Sequence, residues 1–191
     1  GTLGLNMTNS TGVTDAAGNA VGNLPFTGAV YTVDRAAPAV SSITRVNANP
    51  TNAASVQFTI TFNKSVSGVT ASNFALVASG LGGTPAISLV SGSGTTWTVT
   101  ASTGSGSGTL GLNMTSSTGV TDIAGNPLSN VPFTGAVYTL DRTAPAVASI
   151  ALVGPSPTNA ASVQFAVTFG ESILGLSASN FSLAVAGLGG T

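Results

Sequence analysis

The segment GTLGLNMT begins at Gly1 and again at Gly108. From there residues 1–84 align without a gap onto 108–191, with 58 of the 84 pairs identical. A gapless repeat at an offset of 107 residues fixes the organisation before any secondary structure is read, because each copy is one structural unit of a length that suits a small domain. Only residues 85–107 have no second copy. The phase comes from punctuation. Asp34-Arg35-Ala36-Ala37-Pro38 recurs as Asp141-Arg142-Thr143-Ala144-Pro145. Proline removes a backbone donor and pushes the preceding residue toward extended backbone, so these are boundaries. The chain divides into the C-terminal part of one repeat (1–36), a complete repeat (37–143) and the N-terminal part of a following one (144–191). With no initiator Met and no leader-like segment, it reads as a window on a longer array.

Within the complete repeat, Val56, Phe58, Ile60 and Phe62 alternate with Gln57, Thr59 and Thr61, the period-2 pattern of a half-buried strand. The same reading places strands near 39–46, 55–62, 73–78, 86–91, 96–101, 108–114 and 135–141, with one helical turn at Thr70 to Asn73. Seven short strands predict an all-β chain, an immunoglobulin-like antiparallel β-sandwich. Its expected core is Ile43, Val56, Phe58, Ile60, Phe62, Phe74, Leu76, Ile87, Leu89, Trp97, Val99, Leu110, Leu112, Met114, Phe133, Tyr138 and Leu140.

Composition narrows the function. The chain has no Cys and no His, four Lys and Arg, and five Asp and Glu. The commonest general base, the thiol nucleophile and the soft metal ligands are absent, which argues against an enzyme. Four cations cannot neutralise a phosphate backbone, so nucleic acid is not expected as a partner. No apolar run is long enough for a membrane span.

Four stretches together resemble the bacterial Ig-like repeats of very large cell-surface adhesins and extracellular filament proteins. They are SVQFTITFNKSVSGVTASNFAL (55–76), WTVTAS (97–102) leading into SGTLGLNM (107–114), TGVTDIAGNPL (118–128) and YTLDRTAP (138–145). The resemblance implies tandem sandwiches that build an extracellular or cell-surface stalk, fibre or adhesin, often with Ca²⁺ at the domain junctions. Expected partners are adjacent repeats of the same chain, identical chains in a filament, and a host or environmental surface ligand. The linker after Asp141 is two or three residues long and contains Pro145, too short to swing freely. The alternative is a glycan- or surface-binding module, for which Trp97 and the row Thr96, Thr98 and Thr100 are the candidates; both also read as ordinary strand and core residues.

Four of the five acids occupy two repeated positions, Asp15 with Asp122 and Asp34 with Asp141. They carry the calcium reading: Asp122, Asn126 and Asp141, and in the first copy Asp15, Asn19 and Asp34, offer oxygens suited to a hard cation. The competing reading makes Asp-x-x-Gly-Asn a turn in which Asp accepts backbone N–H groups and Gly125 takes positive φ. Lys64 next to Asn63 suggests an isopeptide crosslink, but the aligned residue is Glu171, so a solvated turn lysine is expected instead.

Overall fold

The computed structural model describes residues 1–187; the last four positions of the expected segment 144–191 lie outside the described residues. The chain forms two compact units, Gly1–Arg142 and Thr143–Thr191. The first contains β1 (Thr2–Met7), β2 (Phe26–Thr32), β3 (Val40–Arg45), β4 (Ser55–Ser67), β5 (Phe74–Ser79), β6 (Ile87–Ser102), β7 (Gly108–Met114), β8 (Thr121–Asp122) and β9 (Phe133–Leu140). The second contains β10 (Val147–Val153) and β11 (Gln164–Phe169). The protein is all-β, and its paired strands are antiparallel.

In the complete repeat one sheet runs β3-β4-β6, with β8 on β4, and the other runs β5-β7-β9. Alternation explains why they face each other: Val56, Phe58, Ile60 and Phe62 are buried while the residues between them are not. Most of the expected core is buried, but Leu89 is 55% exposed. Its strand is one arm of a hairpin inside β6, where Ala86 pairs with Ser102 and the chain turns through Gly92 and Gly94, both at positive φ. The two strands expected at 86–91 and 96–101 are thus one continuous element, and only the second arm lies on β4, so Leu89 projects outward from an edge. The expected core also omits Val40, Val66, Val69, Ala101, Val120 and Leu128, which are buried. β4 extends to Ser67 rather than 62, past a register shift between Thr61 and Val66.

Tyr138 ties the sheets together. It is fully buried, its ring meets Phe58 edge-on with centroids 5.1 Å apart, and its hydroxyl donates to the Gln57 carbonyl at 2.7 Å. The same oxygen accepts the N–H groups of Val46 and Asn47, at 2.9 and 2.8 Å. A buried phenol needs such partners. The helical turn is a short 3-10 segment, Ala71–Asn73. Asn73 is buried there, and its amide donates to the carbonyls of Ser116 and Thr118.

The partial copies keep their local pairing and lack their covers. β1 pairs with β2 as β7 does with β9, and β10 with β11 as β3 does with β4. Residues 181–186, the counterpart of β5, do not form a strand. The physical reason is the missing edge: β5 is held by β7, and the second unit contains no counterpart of β7 among its described residues.

Candidate functional site

The polar groups of this sparsely charged chain converge where the linker 34–39 meets the complete repeat. The loop after β8 sets the first carboxylate. Asp122 accepts the N–H groups of Ala124 and Asn126 at 3.0 and 2.9 Å, and the Asn126 amide at 3.0 Å, while Gly125 takes φ 85°. This is an Asx-type turn closed by its own asparagine. Asp15 repeats it, accepting from Ala17, from the Asn19 N–H and from the Asn19 amide, with Gly18 at φ 87°.

Lys64, on β4, reaches across this loop. Its ammonium donates to Asp34 at 2.7 Å, to the Ala36 carbonyl at 2.5 Å and to Asp122 at 3.3 Å. The solvated turn lysine expected from the sequence is therefore a three-way clasp. Asn126 adds a bond to the Asp34 carbonyl at 3.2 Å, Asn63 accepts the Ala39 N–H at 2.8 Å, and Ser129 N–H donates to the Pro38 carbonyl at 2.9 Å. The linker is pinned along its length.

The charges respond accordingly. The Asn126 amide holds the Asp122 carboxyl down at about 2, well below the usual carboxylate range, against the burial that would raise it; Lys64 adds to the effect. The Lys64 hydrogen bond lowers Asp34, and the same bond to Asp34 raises Lys64. In Asp15 the Asn19 amide lowers the carboxyl in the same direction.

The calcium residues are only partly brought together. Asp122 and Asn126 meet Asp34, not Asp141, which instead accepts from the Ser107 hydroxyl at 3.4 Å. Topology is the reason: a linker aspartate leaves the last strand of its own repeat and lands on the loop of the next one. The set also does not fit a divalent cation while Lys64 is in place, since the ammonium stands between the two carboxylates a cation would bridge. Among the described residues no three acidic side chains gather into a metal-binding group. Asp15 and Asn19 bond each other and lie exposed, whereas the Asp34 carboxylate is bonded to Lys64. Trp97 is half-buried against the core with its indole N–H on the Gly94 carbonyl.

The clasp escapes a reading within one repeat, because its members belong to two. A visible signal is position 64 itself, the only Lys in the chain, which aligns with Glu171.

Neither a protein-family model nor a curated protein matches the chain. Among solved structures, the N-terminal part of the bacterial S-layer protein SbsC is similar at 25% identity over 60% of this chain, with a TM-score of 0.38. The chain spans 26% of the length of that structure. No helix among the described residues is long and apolar enough to cross a membrane.

Proposed function

We propose that this chain is a non-catalytic structural repeat of a bacterial extracellular stalk, fibre or adhesin, a stiff spacer that sets other regions at a distance. The observation that carries this reading is the pinned linker, whose residues from Asp34 to Ala39 are hydrogen-bonded onto the repeat that follows. A two-to-three-residue linker limits swing, and a clasp on it limits twist as well. Repeat arrays gain length by nearest-neighbour interfaces alone, so a fixed junction is what converts a string of domains into a rod. The resemblance to surface-adhesin repeats and the nearly uncharged, Ser- and Thr-rich composition support an extracellular setting. Each unit would add about 35–45 Å, given about 3.3 Å per strand residue.

The test uses the absence of cysteine. Spin labels placed through Thr27→Cys on β2 and Ser93→Cys at the β6 turn report the distance across the junction. A narrow distribution is expected, broadening when Lys64→Ala is added. A broad distribution in the parent chain would overturn the spacer reading.

A further inference from the structure

One cluster of polar side chains in the complete repeat takes no part in the clasp. Thr44, Arg45, Asn47, Asn49 and Ala136 line an open hollow of about 430 Å³, where β3 and the loop after it pass β9. That size falls within the roughly 300–1,000 Å³ of small-ligand sites. Its donors are held in place from behind. The Asn47 side-chain oxygen accepts the Gln57 N–H at 2.8 Å, and the Asn49 oxygen accepts the Thr139 N–H at 2.6 Å. An amide whose oxygen is committed to the backbone has a fixed orientation, and in both residues the NH2 group has no partner among the described residues. Arg45 is anchored in the same manner. Its Nη1 donates to the Val137 carbonyl at 2.5 Å, and the guanidinium lies 5.9 Å from the centroid of the Tyr138 ring. The Nε and Nη2 groups, one whole edge of the guanidinium fork, have no partner among the described residues, whose ion pairs all belong to Lys64.

The following copy shows that the fold does not require this set. Val40, Ile43 and Val46 recur as Val147, Ile150 and Val153, whereas Thr44, Arg45, Asn47 and Asn49 are replaced by Ala151, Leu152, Gly154 and Ser156. The apolar pattern is kept and the donor set is exchanged.

From this preorganised cluster we infer a binding site for a carboxylate-bearing saccharide, a uronate or another acidic sugar. A hollow lined by donors, with no carboxylate among its lining side chains, selects an acceptor-rich anion. Its charge is that of one guanidinium, and the free edge of the fork matches one carboxylate. The two amides and the Thr44 hydroxyl beside it are neutral and suit hydroxyl groups. One charge among several hydroxyls describes a sugar acid, whereas an acidic peptide presents several charges and calls for several cations. The inference is independent of the spacer reading, because a spacer can carry a ligand on its flank.

Titration of the 191-residue chain followed by nuclear magnetic resonance tests this, with D-glucuronate, glucose, acetate and hexaglutamate as probes. Glucuronate is expected to shift the Asn47 and Asn49 side-chain amide signals and the Arg45 Nε signal saturably, with an affinity that is roughly millimolar, as befits one charge-assisted contact in water. Glucose and acetate, each lacking half of the recognised groups, bind at least about tenfold more weakly. Raising the salt concentration weakens glucuronate binding. Arg45→Leu, and separately Asn47→Gly combined with Asn49→Ser, install residues that the following copy carries and reduce the affinity at least about tenfold. Circular dichroism and Trp97 fluorescence, unchanged in Arg45→Leu, show that the complete repeat remains folded. The absence of a saturable shift at these three side chains overturns the inference, as does an Arg45→Leu chain that binds glucuronate equally well. Acetate binding as tightly as glucuronate would leave a carboxylate site without sugar recognition, and tighter binding of hexaglutamate would assign the hollow to an acidic protein; either result overturns the saccharide.

Discussion

The complete repeat and its two partial copies carry nearly the same side chains and put them in opposite environments. Leu110, Leu112 and Met114 have no exposure, whereas Leu3, Leu5 and Met7, the same three residue types at the same spacing, are 65%, 84% and 36% exposed. Strand formation and pairing survive in the copies, since β1–β2 reproduces the β7–β9 register, including the bulge before Asn6 and Asn113. Burial does not survive. The period-2 pattern thus encodes a face, while a second sheet, supplied by other residues, determines whether that face is a core or a surface.

The sharpest way to break this comparison is to remove the same side chain on both sides of it. Leu112→Ala is expected to destabilise the complete repeat by about 2–5 kcal/mol, since a fully packed leucine leaves a cavity that its surroundings only partly fill. Leu5→Ala, on an open face, is expected to change it by less than about 0.5 kcal/mol. Urea unfolding followed by Trp97 reads the complete repeat selectively, because this is the chain's only tryptophan. Equal effects from the two variants would mean that the open hairpin shares the core of residues 37–142.

The next effect is smaller and polar. Tyr138→Phe keeps the ring against Phe58 and strips the partner from the Val46 and Asn47 N–H groups. Leaving buried donors unmatched costs about 1–3 kcal/mol. Tyr31→Phe, with its hydroxyl on an open face, is expected to leave the unfolding midpoint where it was.

How much of this was legible in the sequence follows from the same contrast. The strands were legible, because alternation such as Val56-x-Phe58-x-Ile60-x-Phe62 is a local property. The edges of the core were not: Val66, Val120 and Leu128 lie beyond the alternating runs and are buried by the β8 bridge onto β4, a long-range pairing without a local signature. Leu89 fails for the opposite reason, as an alternating residue on a hairpin arm that does not lie on β4. In the site, the Asp-x-x-Gly-Asn turn was legible as turn chemistry. The ammonium it faces was not, since Lys64 lies 58 residues from Asp122 and 30 from Asp34, and topology alone joins them.

Acid sharpens the comparison between the two copies of that turn. Asp122 titrates at about 2 in the folded chain against an ordinary value of 3.8. A depressed folded value contributes stability that is fully present above about pH 4 and is lost as pH falls from there toward 2. Asp122→Asn is expected to flatten this part of the stability profile of the complete repeat, read by Trp97. Asp15→Asn, in the exposed copy of the turn, is expected to leave the Trp97 profile unchanged. Lys64 has the opposite sign: its raised value keeps its contribution intact below about 10.5 and removes it as pH rises beyond.

The smallest expected effect is none at all, and it bears on what the junction is made of. A divalent cation between Asp34 and Asp122 would have to displace an ammonium already bonded to both carboxylates and to the Ala36 carbonyl. The remaining donors at that point are few, because both Asp122 oxygens also accept from Asn126. Ca²⁺ needs six to eight oxygens. Adding millimolar calcium or a chelator is therefore expected to leave both the thermal midpoint and the label-to-label distance across the junction unchanged, whereas any ligand specific to the folded state would raise the midpoint by mass action. The informative partner is Lys64→Glu, which installs at position 64 the residue that the chain carries at 171. It removes the clasp and sets a third carboxylate beside Asp34 and Asp122, so the distance distribution broadens in chelator. If calcium then narrows it again, the loop geometry suits a cation and only the ammonium of Lys64 keeps one out. A midpoint that rises with calcium in the parent chain would show instead that the cation displaces the lysine, and would return the calcium reading to this junction.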